Sequence, residues 1–224
     1  MDYTILEKST LFKDIPAKQL RNTLENVHHH IECYDKGETI FHLMEEADRV
    51  GIILEGCAEA QKPFPNGSQI NVSIRMPGDM IGPAAVFSKT HRYPCDVVAT
   101  MAVTVMIFRK KDLLSLLQKD MQILENFTTE IASATYMLQQ RLEMFSYSGI
   151  AQKAAYYLLV QSRQLDRDDV PIPGSISKWA LIMNVSRSSL HRELKKLEES
   201  KIISYSSHLI RIKDKNALQN ILGK

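Results

Sequence analysis

Near Phe108 the apolar residues of this chain change period, and that change limits what the chain can fold into. From about Thr39 to Phe108, short β-type runs follow one another: TIF, VGIIL, INVSIRM, VVAT and VTVMIF. Turn signals separate them at Lys36-Gly37, Glu55-Gly56 and Pro77-Gly78-Asp79. Short strands at such spacing predict an all-β barrel or sandwich. Between CAEAQ and INVSI, Pro65-Asn66-Gly67 predicts a tight hairpin, because Asn-Gly accepts the positive φ angles that such a turn needs. Beyond Phe108 the spacing becomes helical. A short helix, DLLSLLQ, precedes Asp120, which can cap a much longer one running to about Phe145.

Within the long helix Leu117, Leu124, Ile131, Leu138 and Phe145 recur every seven residues, with Phe127, Ala134 and Leu142 close to the companion seam. This stripe predicts self-pairing into a parallel dimer, while part of the helix also covers the β domain. Thr128 and Thr135 are polar near the seam and interrupt a continuous zipper. Ser146-Tyr147-Ser148-Gly149 breaks the period and reads as a hinge, after which IAQKAAYYLLVQSRQL forms a further helix.

A length of 224 residues allows two modest domains, each with a core of its own. The 44% hydrophobic and 24% charged content is that of an ordinary globular protein. No apolar run approaches the roughly 18 residues that span a bilayer. The amino-terminal MDYTILEKSTLFKDI carries charges through its apolar positions, unlike a secretory signal. A cytoplasmic location is expected, with no membrane partner. Cys33, Cys57 and Cys95 show neither CxxC spacing nor an even framework, so they are expected as small buried hydrophobes. The small net charge of +2 hides an asymmetry. Residues 1–148 hold 15 Lys+Arg against 19 Asp+Glu, a balance of −4, whereas residues 149–224 hold 13 against 7, a balance of +6. An anionic partner is therefore expected at the basic carboxy-terminal third.

That third contains an ordered series of signals. RDDVPIPGS reads as a loop, and Ser177 is placed to cap a short helix, KWALIM. Asn184 can turn the chain in the left-handed conformation, Val185 fills the corner, and Ser186 caps the next helix. Ala180 is small where two crossing helices approach. In VSRSSLHRELKKLEESKII, Leu190, Leu194 and Leu197 fall on one face while Ser188, Arg192 and Lys195 repeat on the opposite one. An α-helix fits the major groove, and arginine can make two hydrogen bonds to guanine O6 and N7. Arg187, Ser188 and Arg192 are therefore the expected base readers, near the end of a recognition helix that reaches base edges. Ser177, Ser186, Ser189, Lys195 and Lys196 suit phosphate contacts. IISYSSHLIRI alternates about a turn and reads as a small β wing that brings His208 near the DNA backbone.

Over nearly its whole length the chain resembles the Crp/Fnr transcription regulators. KGETIFHLMEEADRVGIILEG resembles their glycine-punctuated β-roll, IRMPGDMIGPAAVF the segment leading into their effector cassette, and WALIMNVSRSSLHRELKKLEESKII their recognition unit. The resemblance implies an α+β chain: a cyclic-nucleotide-binding-like β-roll (jelly-roll) sensor over 1–119, a dimerisation helix and hinge over 120–148, and a winged helix-turn-helix over 149–224. It implies a homodimer, with Leu124, Ile131, Leu138 and Phe145 in the dimer helix, holding two recognition helices for a palindromic double-stranded DNA site. RNA polymerase is a candidate further partner. The cyclic-AMP-binding members offer a glutamate to the ribose and an arginine-serine pair to the phosphate. Here Pro83, and Tyr93 with Pro94, stand at those positions, with Arg92 one place away, so cyclic AMP is not the expected effector. Three cysteines, none before Cys33, cannot hold a four-cysteine iron–sulfur cluster within one subunit. Adjacent His28, His29 and His30 point in different directions, and no metal site or cofactor is expected. An effector would lie between roll and helix, beside Tyr93, Tyr136 and Gln139. Ser188, where many relatives carry glutamate, implies a different half-site. Two rival classes are a cyclic-nucleotide-binding module without DNA function and a cupin-type metal enzyme. The basic third and the missing phosphate donors oppose the first. The absence of two histidines alternating on one strand face opposes the second, so the chain is not expected to be an enzyme.

Overall fold

A computed structural model of the chain describes residues 3–63, 69–206 and 208–223. Contacts divide the chain into two compact units, Met1–Ala134 and Thr135–Lys224.

In the first unit, two short 3-10 turns at Tyr3–Lys8 and Thr10–Phe12 lead to α1 (Ala17–Glu25), β1 (His30–Tyr34), β2 (Thr39–Phe41), β3 (Arg49–Glu55), β4 (Ala58–Pro63) and β5 (Gln69–Arg75). Then come β6 (Met80–Ile81), α2 (Pro83–Phe87), β7 (Asp96–Ala99), β8 (Val103–Arg109), α3 (Lys110–Lys119) and the start of α4 (Met121–Ser146). The strands form two four-stranded antiparallel sheets, ordered β1-β8-β3-β6 and β2-β7-β4-β5. The sandwich expected from the short β-type runs is present, with β1 as a strand that the alternation from Thr39 onward leaves out. β4 and β5 pair as a hairpin, Ala58 opposite Arg75 and Pro63 opposite Gln69. The Pro65-Asn66-Gly67 turn lies outside the described residues. At the centre, β3 buries Val50, Ile52, Ile53 and Leu54 in succession because β8 and β6 flank it. Gly51 has no room for a side chain, since a Cβ there would stand 2.7 Å from Val105 Cγ1. One core joins both sheets, from Phe41 and Val97 to Val105 and Phe108.

Asp120 starts α4 as expected: its Oδ1 accepts hydrogen bonds from the Gln122 and Ile123 amides at 2.9 and 3.3 Å. Ile123 and Phe127 are buried in the β core, with Leu124 and Ile131 packed against it. Thr128 returns its hydroxyl to the Leu124 carbonyl, 2.9 Å away, so its polarity is satisfied within the helix.

The second unit continues through the end of α4 to α5 (Ile150–Leu165), β9 (Asp169–Pro171), α6 (Ile176–Ile182), α7 (Arg187–Glu199), β10 (Ile203–Tyr205), β11 (Leu209–Ile212) and α8 (Lys215–Leu222). The helix break at residues 147–149 falls where the heptad stops, and the Gly149 amide donates to the Gln152 side chain. The stretch RDDVPIPGS is not simply a loop: it contains β9, which pairs with β11, giving a three-stranded wing ordered β10-β11-β9. Arg211 on β11 holds Asp169 on β9 through two hydrogen bonds of 2.6 and 2.9 Å. That guanidinium keeps the Asp169 carboxyl below its ordinary range. Trp179, Leu190, Leu194, Ile203 and Ile210 centre this unit's core.

The cysteines depart from expectation. Cys33 is exposed and Cys57 and Cys95 are half-buried. Cys33 sits on β1, an edge strand whose outward positions meet solvent, and Cys57 lies in the turn after Gly56.

Candidate nucleic-acid interface

α6 ends where Asn184 adopts φ +52°. Its amide donates to the Leu181 carbonyl at 3.1 Å, and that of Val185 donates to the Ala180 carbonyl at 3.0 Å. This pair of bonds satisfies carbonyls left open by the helix end and turns the chain through one residue. Ser186 then caps α7, accepting from the Ser189 amide at 3.1 Å. Ala180 is buried, as a close helix crossing requires. The cap of α6 is Ser175, not Ser177: the Lys178 amide donates to Ser175 Oγ at 3.1 Å. The helix starts two residues earlier than the apolar run suggested, because Ile176 already packs on the core. Ser177 is exposed in its first turn.

On α7 the two faces separate as the spacing requires. Leu190 and Leu194 are fully buried and Leu197 nearly so, each contributing on the order of 1.5–3 kcal/mol. Arg187, Ser188, Arg192, Lys195 and Lys196 are exposed on the remaining surface. The cations fall into two groups. Lys196 pairs with Glu193 at 2.8 Å and Lys195 approaches Glu199 at 3.9 Å. Arg187 and Arg192 have no carboxylate partner among the described residues. Ser186 donates to Ser189 Oγ at 2.8 Å, so its hydroxyl serves the cap; Ser189 keeps its own proton for an outside acceptor. Ser188 Oγ lies 3.1 Å from Ser186 Oγ. His208 is exposed at the entry to β11.

The residues expected around an effector are placed differently. Tyr93 is 1% exposed, stacks on Phe41 with centroids 4.5 Å apart, and donates its hydroxyl to the Arg49 carbonyl at 2.7 Å. Burial pushes its pKa up to about 12. A Cβ on Gly82 would meet both rings at 3.1 Å, so this corner is filled by the protein itself. Tyr93 is thus a core residue, not an open wall. Arg92 is exposed and donates to the Met44 carbonyl at 2.9 Å. Pro83 occupies the first turn of α2. Tyr136 and Gln139 are exposed on α4 in the second unit. The heptad splits likewise: Leu124 and Ile131 pack on the β core, whereas Leu138, Leu142 and Phe145 are 59%, 70% and 46% exposed. No group of three or more His, Cys, Asp or Glu able to hold a metal occurs among the described residues.

Comparison with known proteins matches these two parts separately. Residues 31–120 match the cyclic nucleotide-binding domain, and residues 152–221 the Crp-like helix-turn-helix domain. The chain is 24% identical over 186 residues to the transcriptional activatory protein AadR of Rhodopseudomonas palustris, covering 81% of this chain and 76% of that protein. It is 23% identical over 198 residues to the nitrogen fixation regulation protein FixK of Bradyrhizobium diazoefficiens, covering 86% and 81%. The fold is that of the catabolite activator protein of Thermus thermophilus, with a TM-score of 0.55 at 18% identity over 96% of this chain and 99% of that one. With a cyclic nucleotide-binding domain, one long helix and a Crp-like helix-turn-helix in that order, the chain belongs to the Crp/Fnr family of transcription regulators.

Proposed function

We propose that the chain works as a homodimer that places two copies of α7 in successive major grooves of a palindromic DNA site, about 34 Å apart. Arg187, Ser188 and Arg192 read bases; Ser177, Ser189, Lys195, Lys196 and His208 hold the phosphate backbone. The observation that carries this reading is the pair of exposed arginines on α7, without carboxylate partners among the described residues, above a fully apolar inner face. A guanidinium already paired within the protein would have to break that pair before meeting guanine; these need not. Residues 1–119 sense an effector, 120–148 pair the subunits, and 149–224 bind DNA. The effector shifts the balance between dimer arrangements that bind DNA differently. It differs from cyclic AMP, because Pro83, Tyr93 and Pro94 supply no charged donor to ribose or phosphate and Tyr93 is committed to the core. The chain does its work in the cytoplasm without catalysis, with RNA polymerase as a further partner.

Gel-shift titration in graded salt tests this. Wild-type binding should weaken as salt rises, and cyclic AMP should leave the curve in place. Arg192→Ala should cost about 1–3 kcal/mol and relax the choice at one base pair. Unchanged affinity and preference in that variant would remove Arg192 from the reading face.

A further inference from the structure

At one end of the sheet β2-β7-β4-β5 the turns between strands bring sulfur-bearing side chains together. Ala58 of β4 stands opposite Arg75 of β5 on one side and Ala99 of β7 on the other. One residue earlier, Cys57 therefore falls between Met76 and Thr100. Its thiol donates to Met76 Sδ at 3.2 Å. On the other side the Thr100 amide and hydroxyl both donate to the Cys57 carbonyl, at 2.9 and 3.0 Å. Gly56 is pressed against the same loop, where a Cβ would stand 2.1 Å from the Ala102 carbonyl oxygen. Met101, between the two residues so held, is carried to the same end. Met76 and Met101 are 50% and 51% exposed and Cys57 is half-buried, so the group is open to solvent. The other thiols differ. Cys33 has the Thr104 hydroxyl beside it, 4.0 Å away, and burial pushes the Cys95 thiol up, away from the thiolate that a metal requires.

A thiolate flanked by thioethers is a soft donor set, suited to Cu(I) and unsuited to Mg, Ca or Mn, which take oxygen ligands. The neighbouring carboxylate is engaged elsewhere, since Asp79 Oδ2 accepts from the Met76 amide at 2.8 Å. We propose that Cys57, Met76 and Met101 form a binding site for a soft monovalent cation of the Cu(I) class. The thiol is already directed at the Met76 thioether. Binding puts the cation in place of the thiol proton, which leaves to solvent, and no oxidation state changes. Both methionines are unbranched and half exposed, so they can shift to admit an ion between the sulfurs. The site lies in the first unit and stands whether or not α7 reads DNA.

The test is competition for Cu(I), supplied as its bicinchoninate complex under argon, by the full-length chain carrying Cys33→Ser and Cys95→Ser, which leaves Cys57 as its one cysteine. This parent should take up one Cu(I) per chain. Cys57→Ser should abolish uptake, and Met76→Leu and Met101→Leu should each weaken it by about tenfold or more. Uptake that survives Cys57→Ser, or that is unchanged by loss of either thioether, overturns the three-sulfur site. A second measurement needs no ligand variant to bind metal: Ag(I) added to the same parent, labelled with 13C-methyl methionine, should shift two of the ten methionine methyl signals, those missing from the two leucine variants. If none shifts, or all shift alike, the assignment fails.

Discussion

At the residue scale, function is prepared by which polar atoms are already occupied. Lys195 and Lys196 face carboxylates on their own helix, whereas Arg187 and Arg192 do not among the described residues, which separates the proposed backbone holders from the proposed readers. Asn184 matters for a different reason. At φ +52° a β-branched side chain crowds the following carbonyl, whereas Asn tolerates that geometry and Gly accepts it freely. Asn184→Val should destabilise the protein by about 1–2 kcal/mol in denaturant unfolding. Asn184→Gly should stay within a few tenths of the parent. Equal stability of the two variants would show that the turn does not depend on the left-handed residue.

At the element scale, helix starts are set by hydroxyls and helix faces by leucines. Ser175 caps α6 and Ser177 only decorates its first turn. Ser175→Ala should lower the unfolding free energy by about 1 kcal/mol, while Ser177→Ala should leave it nearly unchanged and act only on DNA affinity. A thermal melt of both variants, paired with a binding curve, distinguishes cap from contact; a larger stability loss for Ser177→Ala would reverse the assignment. The wing depends on β9 as its third strand. A two-stranded ribbon would be marginal in water, whereas the bidentate Arg211–Asp169 pair and the β9–β11 ladder fasten the ribbon to the rest of the unit.

At the scale of the whole molecule, α4 changes its task along its length. Its first half is absorbed by the β core through Ile123 and Phe127, and its second half leaves Met137, Leu138, Leu142 and Phe145 exposed. A row of large apolar groups facing water is unfavourable for an isolated chain, and the self-pairing proposed above would relieve it. Replacing Leu138 and Leu142 together by glutamate should give a folded monomer in sedimentation equilibrium, with DNA affinity reduced because two half-sites are no longer held together. A dimer that survives both charges would place the subunit contact elsewhere.

Local patterns were enough to read the strands from Thr39 to Phe108 except the two-residue β6, the Asp120 cap, the Asn184 turn and the two faces of α7. Each depends on residues close in sequence: alternation, a hydroxyl or carboxylate three positions from an amide, or a leucine stripe at helical spacing. What remained hidden depended on partners distant in the chain. β9 became a strand through its pairing with β11 some forty residues later, on the order of the loop lengths that only tertiary packing closes. Tyr93, which by motif position should face an effector, was taken into the core by Phe41 and the Arg49 carbonyl. The seven-residue repeat of α4 said where apolar side chains recur. Only the packed β domain decided that Leu124 and Ile131 belong to it while Leu138 and Phe145 stay outside, because burial is a property of what surrounds a residue and not of the residue itself.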